Sequence, residues 1–200
     1  MPRFRTGALM LGLLAAAPAL VAQQKSADQQ IAEAISPLPE PLREGATVMA
    51  FAGGGMLSVI RRGSNPMICL PDDPDVEGFH AACYHRDLEP FMEAGRRARA
   101  EGMSREEIWQ MRIQEIEAGK WSMPEHAVAL YSVSGPDGSF DYSTGSATGA
   151  RSLHVIYVPY ATEESIGIST QAANDRPWLM NPGTPFAHLM ISRPTPPNRD

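Results

Sequence analysis

The chain has 200 residues, 43% of them hydrophobic, and a formal net charge of −6 at pH 7. This acidic balance argues against DNA, RNA or an anionic lipid surface as a partner, because such partners attract basic proteins. The length suits one domain that can bury a core without a structural metal or several disulfides.

The first 22 residues have the features of an export signal. Arg3 and Arg5 form a basic start, an apolar run covers residues 8–17, and small residues lead to a cleavage point after Ala22. The apolar run is too short to span a bilayer as a mature anchor. We therefore predict that residues 1–22 are removed, that the mature chain is periplasmic or secreted, and that no membrane insertion follows signal cleavage.

One helix and three strands are predicted next. Two isoleucines spaced four apart after Ser26 favour a short amphipathic helix that ends before Pro37. Two β-prone runs, 47–52 and 56–61, flank a cluster of three glycines and indicate a β-hairpin, and 67–70 is a third strand. An acidic, proline-rich loop follows, and it lacks the spacing of a calcium-binding EF-hand.

Residues 87–119 are predicted to form a helical hairpin. Asp87 is placed as the cap of the first helix, and Gly102 ends that helix. Ser104 and Glu107 have the spacing of a capping box at the start of the second helix. The short connection makes the two helices antiparallel neighbours.

The remaining sequence is rich in β-prone segments. Strands are predicted at 127–133, 153–158, 178–180 and 187–192. The element order predicts an α+β fold, in which a mostly antiparallel sheet packs against the helical hairpin. We expect a single domain over residues 23–192 and a disordered tail over 193–200, where proline is frequent and apolar groups are few.

Cys69 and Cys83 are the only cysteines. An isolated pair in an exported chain predicts one disulfide. The competing interpretation is a zinc or copper site, because His80, Cys83 and His85 fall within six residues. Cys83 cannot serve both purposes, and the predicted compartment favours the disulfide.

The candidate metal ligands from the sequence are His80, His85 and His188, and a site built only from histidines could also use His126 or His154. In a strand, His188 would share a face with Met190, opposite an apolar core face. Its ring is then either hydrogen-bonded to nearby backbone or a ligand or base in a groove beside Trp178.

Four segments of the chain form a recurring pattern: a Gly-Ser-Asn turn, a Cys-Leu-Pro-Asp segment, a second cysteine soon after, and a Pro-Gly-Thr-Pro-x-Ala-His segment. They are Gly63-Ser64-Asn65, Cys69-Leu70-Pro71-Asp72, Cys83 and Pro182-Gly183-Thr184-Pro185-Phe186-Ala187-His188. In this pattern, with Ser or Thr in the turn, the chain resembles a group of exported bacterial proteins of uncharacterised function. The resemblance implies a disulfide framework. It implies no established chemistry, and His80 and His85 are not part of it.

The sequence contains no Gly-x-Ser-x-Gly, His-Glu-x-x-His or Cys-x-x-Cys motif, so no catalytic residue is assigned and no cofactor is predicted. We predict an exported cell-envelope domain that acts as a non-catalytic binding or structural module. Its expected partner is a small molecule or an envelope protein, and not a nucleic acid. Two alternatives stay open: a hydrolase or metal-dependent enzyme with a histidine-based site, and a periplasmic metal-binding protein.

Overall fold

The computed structural model describes residues 25–51 and 57–192. The predicted export signal at 1–22, the glycines predicted to turn the first hairpin and the predicted tail at 193–200 lie outside the described residues. Among the helices of the described residues, none has the length and apolar character needed to cross a membrane.

The described residues form short helices and a larger number of strands. The helices are α1 (Ala27–Ile35), α2 (Glu40–Arg43), α3 (Glu89–Ala100), α4 (Arg105–Glu117) and α5 (Glu163–Ile166). The strands are β1 (Thr47–Phe51), β2 (Leu57–Arg61), β3 (Met67–Leu70), β4 (Phe79–His85), β5 (Val128–Gly135), β6 (Phe140–Asp141), β7 (Ser146–Ala147), β8 (Arg151–Tyr157), β9 (Trp178–Met180) and β10 (His188–Ser192). A 3₁₀ turn, Arg86–Leu88, joins β4 to α3.

Eight strands form one sheet in the order β2-β1-β3-β4-β5-β8-β10-β9, and β6 pairs with β7 in a separate ribbon. Within the large sheet, β1 and β3 are parallel, and the other neighbours are antiparallel. The prediction of an α+β fold with a large, mostly antiparallel sheet is confirmed at this level.

Local signals predicted several element boundaries correctly. The Ser104 side chain accepts a hydrogen bond from the Glu107 backbone N–H, and the Glu107 side chain accepts one from the Ser104 N–H, so the predicted capping box is confirmed. The prediction that Asp87 caps α3, the first helix of the hairpin, was wrong. His85 caps the 3₁₀ turn, and α3 starts two residues after Asp87 because Pro90 fits the first helical turn.

Strand β4 was not predicted, and it is central to the sheet. Alternation along a strand puts Cys83 and Tyr84 on opposite faces. Cys83 belongs to a buried cluster that includes Ala34 at the end of α1, whereas Tyr84 belongs to a cluster that includes Phe91 of α3 and, partly buried, Trp109 of α4. β4 therefore supplies side chains to two separate parts of the core.

The disulfide between Cys69 and Cys83 is present, which confirms the prediction. The two cysteines are directly opposite each other in the β3–β4 pair, and both are fully buried. The Cys83 sulfur also lies 3.0 Å from the carbonyl oxygen of Ala34. The cross-link thus joins two central strands beneath α1.

Replacing both cysteines with alanine should lower the free energy of unfolding by roughly 2–5 kcal/mol, because the unfolded chain then gains the freedom of a loop that the bond now closes. Urea unfolding of the two proteins measures the difference. Thiol alkylation of the denatured wild type without reductant should label neither cysteine. Full labelling of both would contradict the bond.

A second constraint joins α3 to α4 through Arg112. Its guanidinium donates a 2.7 Å hydrogen bond to the Phe91 carbonyl and lies 3.8 Å from the centre of the Phe91 ring. Burial lowers the pKa of Arg112 to about 10. A Cβ atom at Gly95 would overlap this guanidinium, so the side chain crosses α3 where the helix has no side chain of its own.

Gly95→Ala should therefore destabilise the protein by about 1–3 kcal/mol, the usual cost of overpacking, although alanine is the better helix former. In an Arg112→Ala background the obstruction is gone, and the same change should stabilise by about 0.5–1 kcal/mol. A double-mutant cycle by urea unfolding measures this change of sign. Equal effects in the two backgrounds would show that Arg112 does not restrict position 95.

Candidate metal centre

Two histidines and an aspartate converge at the end of β4. Oδ2 of Asp87 lies 3.2 Å from Nε2 of His126 and 3.5 Å from Nδ1 of His85. One potential ligand atom from each residue lies within 4.8 Å of the other two. Over residues 25–51 and 57–192, this is the one group of three or more His, Cys, Asp or Glu side chains that meets this distance.

The turn after β4 positions His85 and Asp87. His85 is the last residue of the strand, and its Nδ1 accepts a 3.2 Å hydrogen bond from the backbone N–H of Asp87. A ring nitrogen that accepts a hydrogen bond carries no proton, so Nδ1 presents a lone pair on the Asp87 side. A metal ion requires the same lone pair, and it would replace this weak bond.

His126 reaches the cluster from a distant part of the sequence. It lies two residues before β5, the strand that pairs with β4, where Tyr84 is opposite Leu130. The chain leaves β4, passes through α3 and α4, and returns as an antiparallel neighbour. Residues just after β4 and just before β5 therefore lie at the same end of the strand pair.

The cluster lies at the protein surface. The side chains of His85, Asp87 and His126 are 23%, 40% and 64% exposed. The two imidazole rings are 5.9 Å apart and nearly perpendicular. Three protein ligands at an exposed position leave coordination sites open to water or to a further ligand.

The donor set indicates which ions would bind. Neutral imidazole suits Zn²⁺, Cu²⁺ and Ni²⁺, and a carboxylate adds a negative charge that favours a divalent cation. Calcium and magnesium prefer sites made only of oxygen atoms. The arrangement can therefore hold a divalent transition-metal ion.

Of the three histidines singled out from the sequence, His85 alone belongs to this cluster. His80 is five positions earlier in β4 and on the other face; it is exposed, and its backbone N–H donates a 2.9 Å hydrogen bond to Asp72. His154, on β8, packs edge-on against Tyr131.

His188 lies on β10, three strands away from β4. Its Nδ1 is 2.7 Å from the carbonyl oxygen of Phe186. Because a carbonyl can only accept, Nδ1 carries the proton. The ring lies 5.1 Å from that of Tyr157, and Met180 and Tyr157 are its neighbours on the two flanking strands. Of the two alternatives given for His188, the structure thus shows a ring that is hydrogen-bonded to nearby backbone. A role of His188 in ligand binding stays a prediction.

The sequence did not indicate Asp87 as a partner of His85, and it offered His126 only among the histidines of a possible histidine site. Asp87 was interpreted as a helix cap, and His126 was one histidine among five. The local signal was His85-Arg86-Asp87, two ligand types separated by one residue at a strand end. Placing His126 beside His85 required the pairing of β4 with β5, which a single sequence does not reveal.

Comparisons with protein-family models, with curated proteins and with solved structures found no match.

His188 should make stability depend on pH. Burial lowers its pKa, and the hydrogen bond to Phe186 opposes this shift only in part. The unfolded chain, in which a histidine has a pKa of about 6.5, then binds the proton first. The stabilising contribution is complete above that pH and is lost as the pH falls below it. The neighbouring phenol does not titrate here, because burial raises the pKa of Tyr157 to about 12.

His188→Gln keeps a hydrogen-bond donor but cannot titrate. The free energy of unfolding of this variant, measured by urea at pH 5–7, should fall less steeply with acid than that of wild type, by at most about 1.4 kcal/mol per pH unit. Parallel curves for the two proteins would show that His188 is not held neutral by burial.

Proposed function

We propose that this chain is an exported, non-catalytic binding module that holds a divalent transition-metal ion between His85, Asp87 and His126. The observation that carries the proposal is the approach of the Asp87 carboxylate to within 3.2 and 3.5 Å of nitrogens from two histidines. The strand end and the loop before β5 bring these donors together from positions separated in the sequence.

The chemistry of the donors orders the candidate ions. The affinity of nitrogen and oxygen sites rises along the first-row divalent metals to Cu²⁺ and falls again at Zn²⁺. We therefore expect Cu²⁺ to bind more tightly than Zn²⁺, and both more tightly than Mg²⁺ or Ca²⁺. Which ion is bound in the cell depends on supply as well as on affinity.

The proposed location rests on two features. The sequence starts with the pattern of an export signal, and a buried disulfide joins Cys69 to Cys83. Structural disulfides persist in oxidising compartments and are rare in the cytosol. Both features support a role outside the cytoplasm.

We also propose that α3 and α4 pack as one hairpin on the sheet. Two ring contacts support this packing: Phe91 of α3 is 5.6 Å from Tyr157 of β8, and Trp109 of α4 is 4.8 Å from Phe186. Such packing would hold the end of β4 and the start of β5 in place, and with them the three metal ligands.

Calorimetric titration of untagged protein with Zn²⁺ and with Cu²⁺ tests the metal site. Wild type should bind one ion per chain. His126→Ala and Asp87→Ala should each weaken binding by at least about tenfold, because each removes a direct ligand, and changes even to outer groups cost about 10–100-fold. Circular dichroism confirms that the variants remain folded.

His80→Ala is the matched control, since it removes an exposed histidine from the same strand outside the cluster. It should leave the affinity unchanged. Equal binding by the His126→Ala and wild-type proteins, or an equal loss in the His80→Ala variant, would contradict the proposed site.

A further inference from the structure

A cavity of about 310 Å³ lies at the other end of β4, beside Phe79. It is bounded by α1, by the acidic loop after β3 and by the turn after β5. β4 is 7 residues long, so its two ends are roughly 20 Å apart. The cavity is therefore separate from the cluster of His85, Asp87 and His126.

The charges of the cavity are unbalanced. Four carboxylates line it, and the one ammonium among its lining residues belongs to Lys25; the acidic residues are Glu33, Asp72, Asp73 and Asp137. The Lys25 ammonium lies 2.8 Å from Glu33 and 3.1 Å from Asp72. The protein thus places an alkylammonium group of its own inside this acidic cavity.

Glu33 is the anchor of the arrangement. Its side chain is only 1% exposed, and it accepts hydrogen bonds from Lys25 and from the hydroxyl of Tyr142. A carboxylate this deeply buried is stable only when it is paired and hydrogen-bonded. Although burial opposes it, the bonds and charges of Glu33 and Asp72 raise the pKa of Lys25, so the amine stays protonated.

The cavity walls also present aromatic rings. Phe79 and Phe140 are stacked at 5.4 Å, and Phe140 meets Tyr142 edge-on at 5.1 Å. Phe79 and Phe140 are buried and support Tyr142, whose exposed ring can cover the methylene chain of an organic cation and interact with its charge. Among the described residues, no three of the carboxylates lie close enough together to share one metal ion.

We propose that this cavity is a binding site for aliphatic amines, and that Lys25 is its tethered occupant. Three carboxylate charges remain after Lys25 is counted, and no three carboxylates of the described residues converge on one point. An extended amine with several ammonium groups matches this distribution better than a compact ion. The cavity thus accepts such an amine in place of Lys25.

The probe for the test is spermidine, an aliphatic triamine, titrated by calorimetry at physiological ionic strength. Wild type should bind it, and Lys25→Ala should bind it several-fold more tightly, because the internal competitor is removed. Asp137→Asn should bind it several-fold more weakly. In the wild type, the side chain of Asp137 accepts a hydrogen bond from the Gly78 N–H. Asparagine keeps an oxygen that can accept this bond, so the fold should be preserved.

Two matched variants separate the cavity from the general acidity of the chain. Lys25 and Lys120 are the only lysines, so Lys120→Ala removes the same charge elsewhere. Glu164→Gln removes an exposed carboxylate on α5. Neither should alter spermidine binding. If Glu164→Gln weakens binding as much as Asp137→Asn, or Lys120→Ala tightens it as much as Lys25→Ala, the proposal is wrong.

Amine acetylation gives a second readout in the wild-type protein. Spermidine should raise the ratio of the Lys25 acetylation rate to the Lys120 rate, measured by mass spectrometry; the ratio is used because spermidine itself consumes reagent and slows both lysines alike. An unchanged ratio at saturating spermidine would show that the amine does not enter the cavity. His126→Ala should bind spermidine like wild type, so failure of the metal site and failure of this site are distinguishable.

Discussion

The pairing of β3 with β4 is the constraint on which the rest of the structure depends. Cys69 faces Cys83 across the pair, and the bond between them prevents the register from slipping. A shift by one residue would move every side chain of β4 to the opposite face of the sheet. Tyr84 would then lose its cluster with α3, and Cys83 would lose its contact with α1.

The fixed position of β4 also fixes the two candidate sites at its ends. At one end, His85 begins the turn that carries Asp87, and the partner strand β5 brings His126. At the other end, Phe79 forms a wall of the acidic cavity. The first site is proposed to bind a metal ion through nitrogen lone pairs and one carboxylate, and the second is proposed to bind an amine through carboxylates and aromatic rings.

Much of the sheet could be predicted because its strands follow simple local rules. β3 and β9 have the predicted bounds, and the predictions for β1 and β2 agree with the strands over the described residues. The predicted runs for β5 and β8 differ from the observed strands by one or two residues at each end, and the run for β10 differs by one residue at its start. β4 was not predicted because its segment His80-Ala81-Ala82-Cys83 has few β-branched residues and is as compatible with a helix as with a strand. Its strand conformation comes from pairing on both sides, which is tertiary information. The parallel pairing of β1 with β3 and the approach of His126 to His85 also depend on tertiary contacts, so they could not be predicted from the sequence.

The distances along the chain that separate paired strands set an order for folding. The β3–β4 cross-link joins residues 14 apart, whereas the β4–β5 pair joins Tyr84 to Leu130 across two helices. Closing a short loop costs less entropy than closing a long one, so we expect the near pair to form first. Oxidation can then lock β3 to β4 before β5 arrives, and β5 adds to an edge whose register is already set. On this account the covalent bond acts on the path of folding as well as on the final stability.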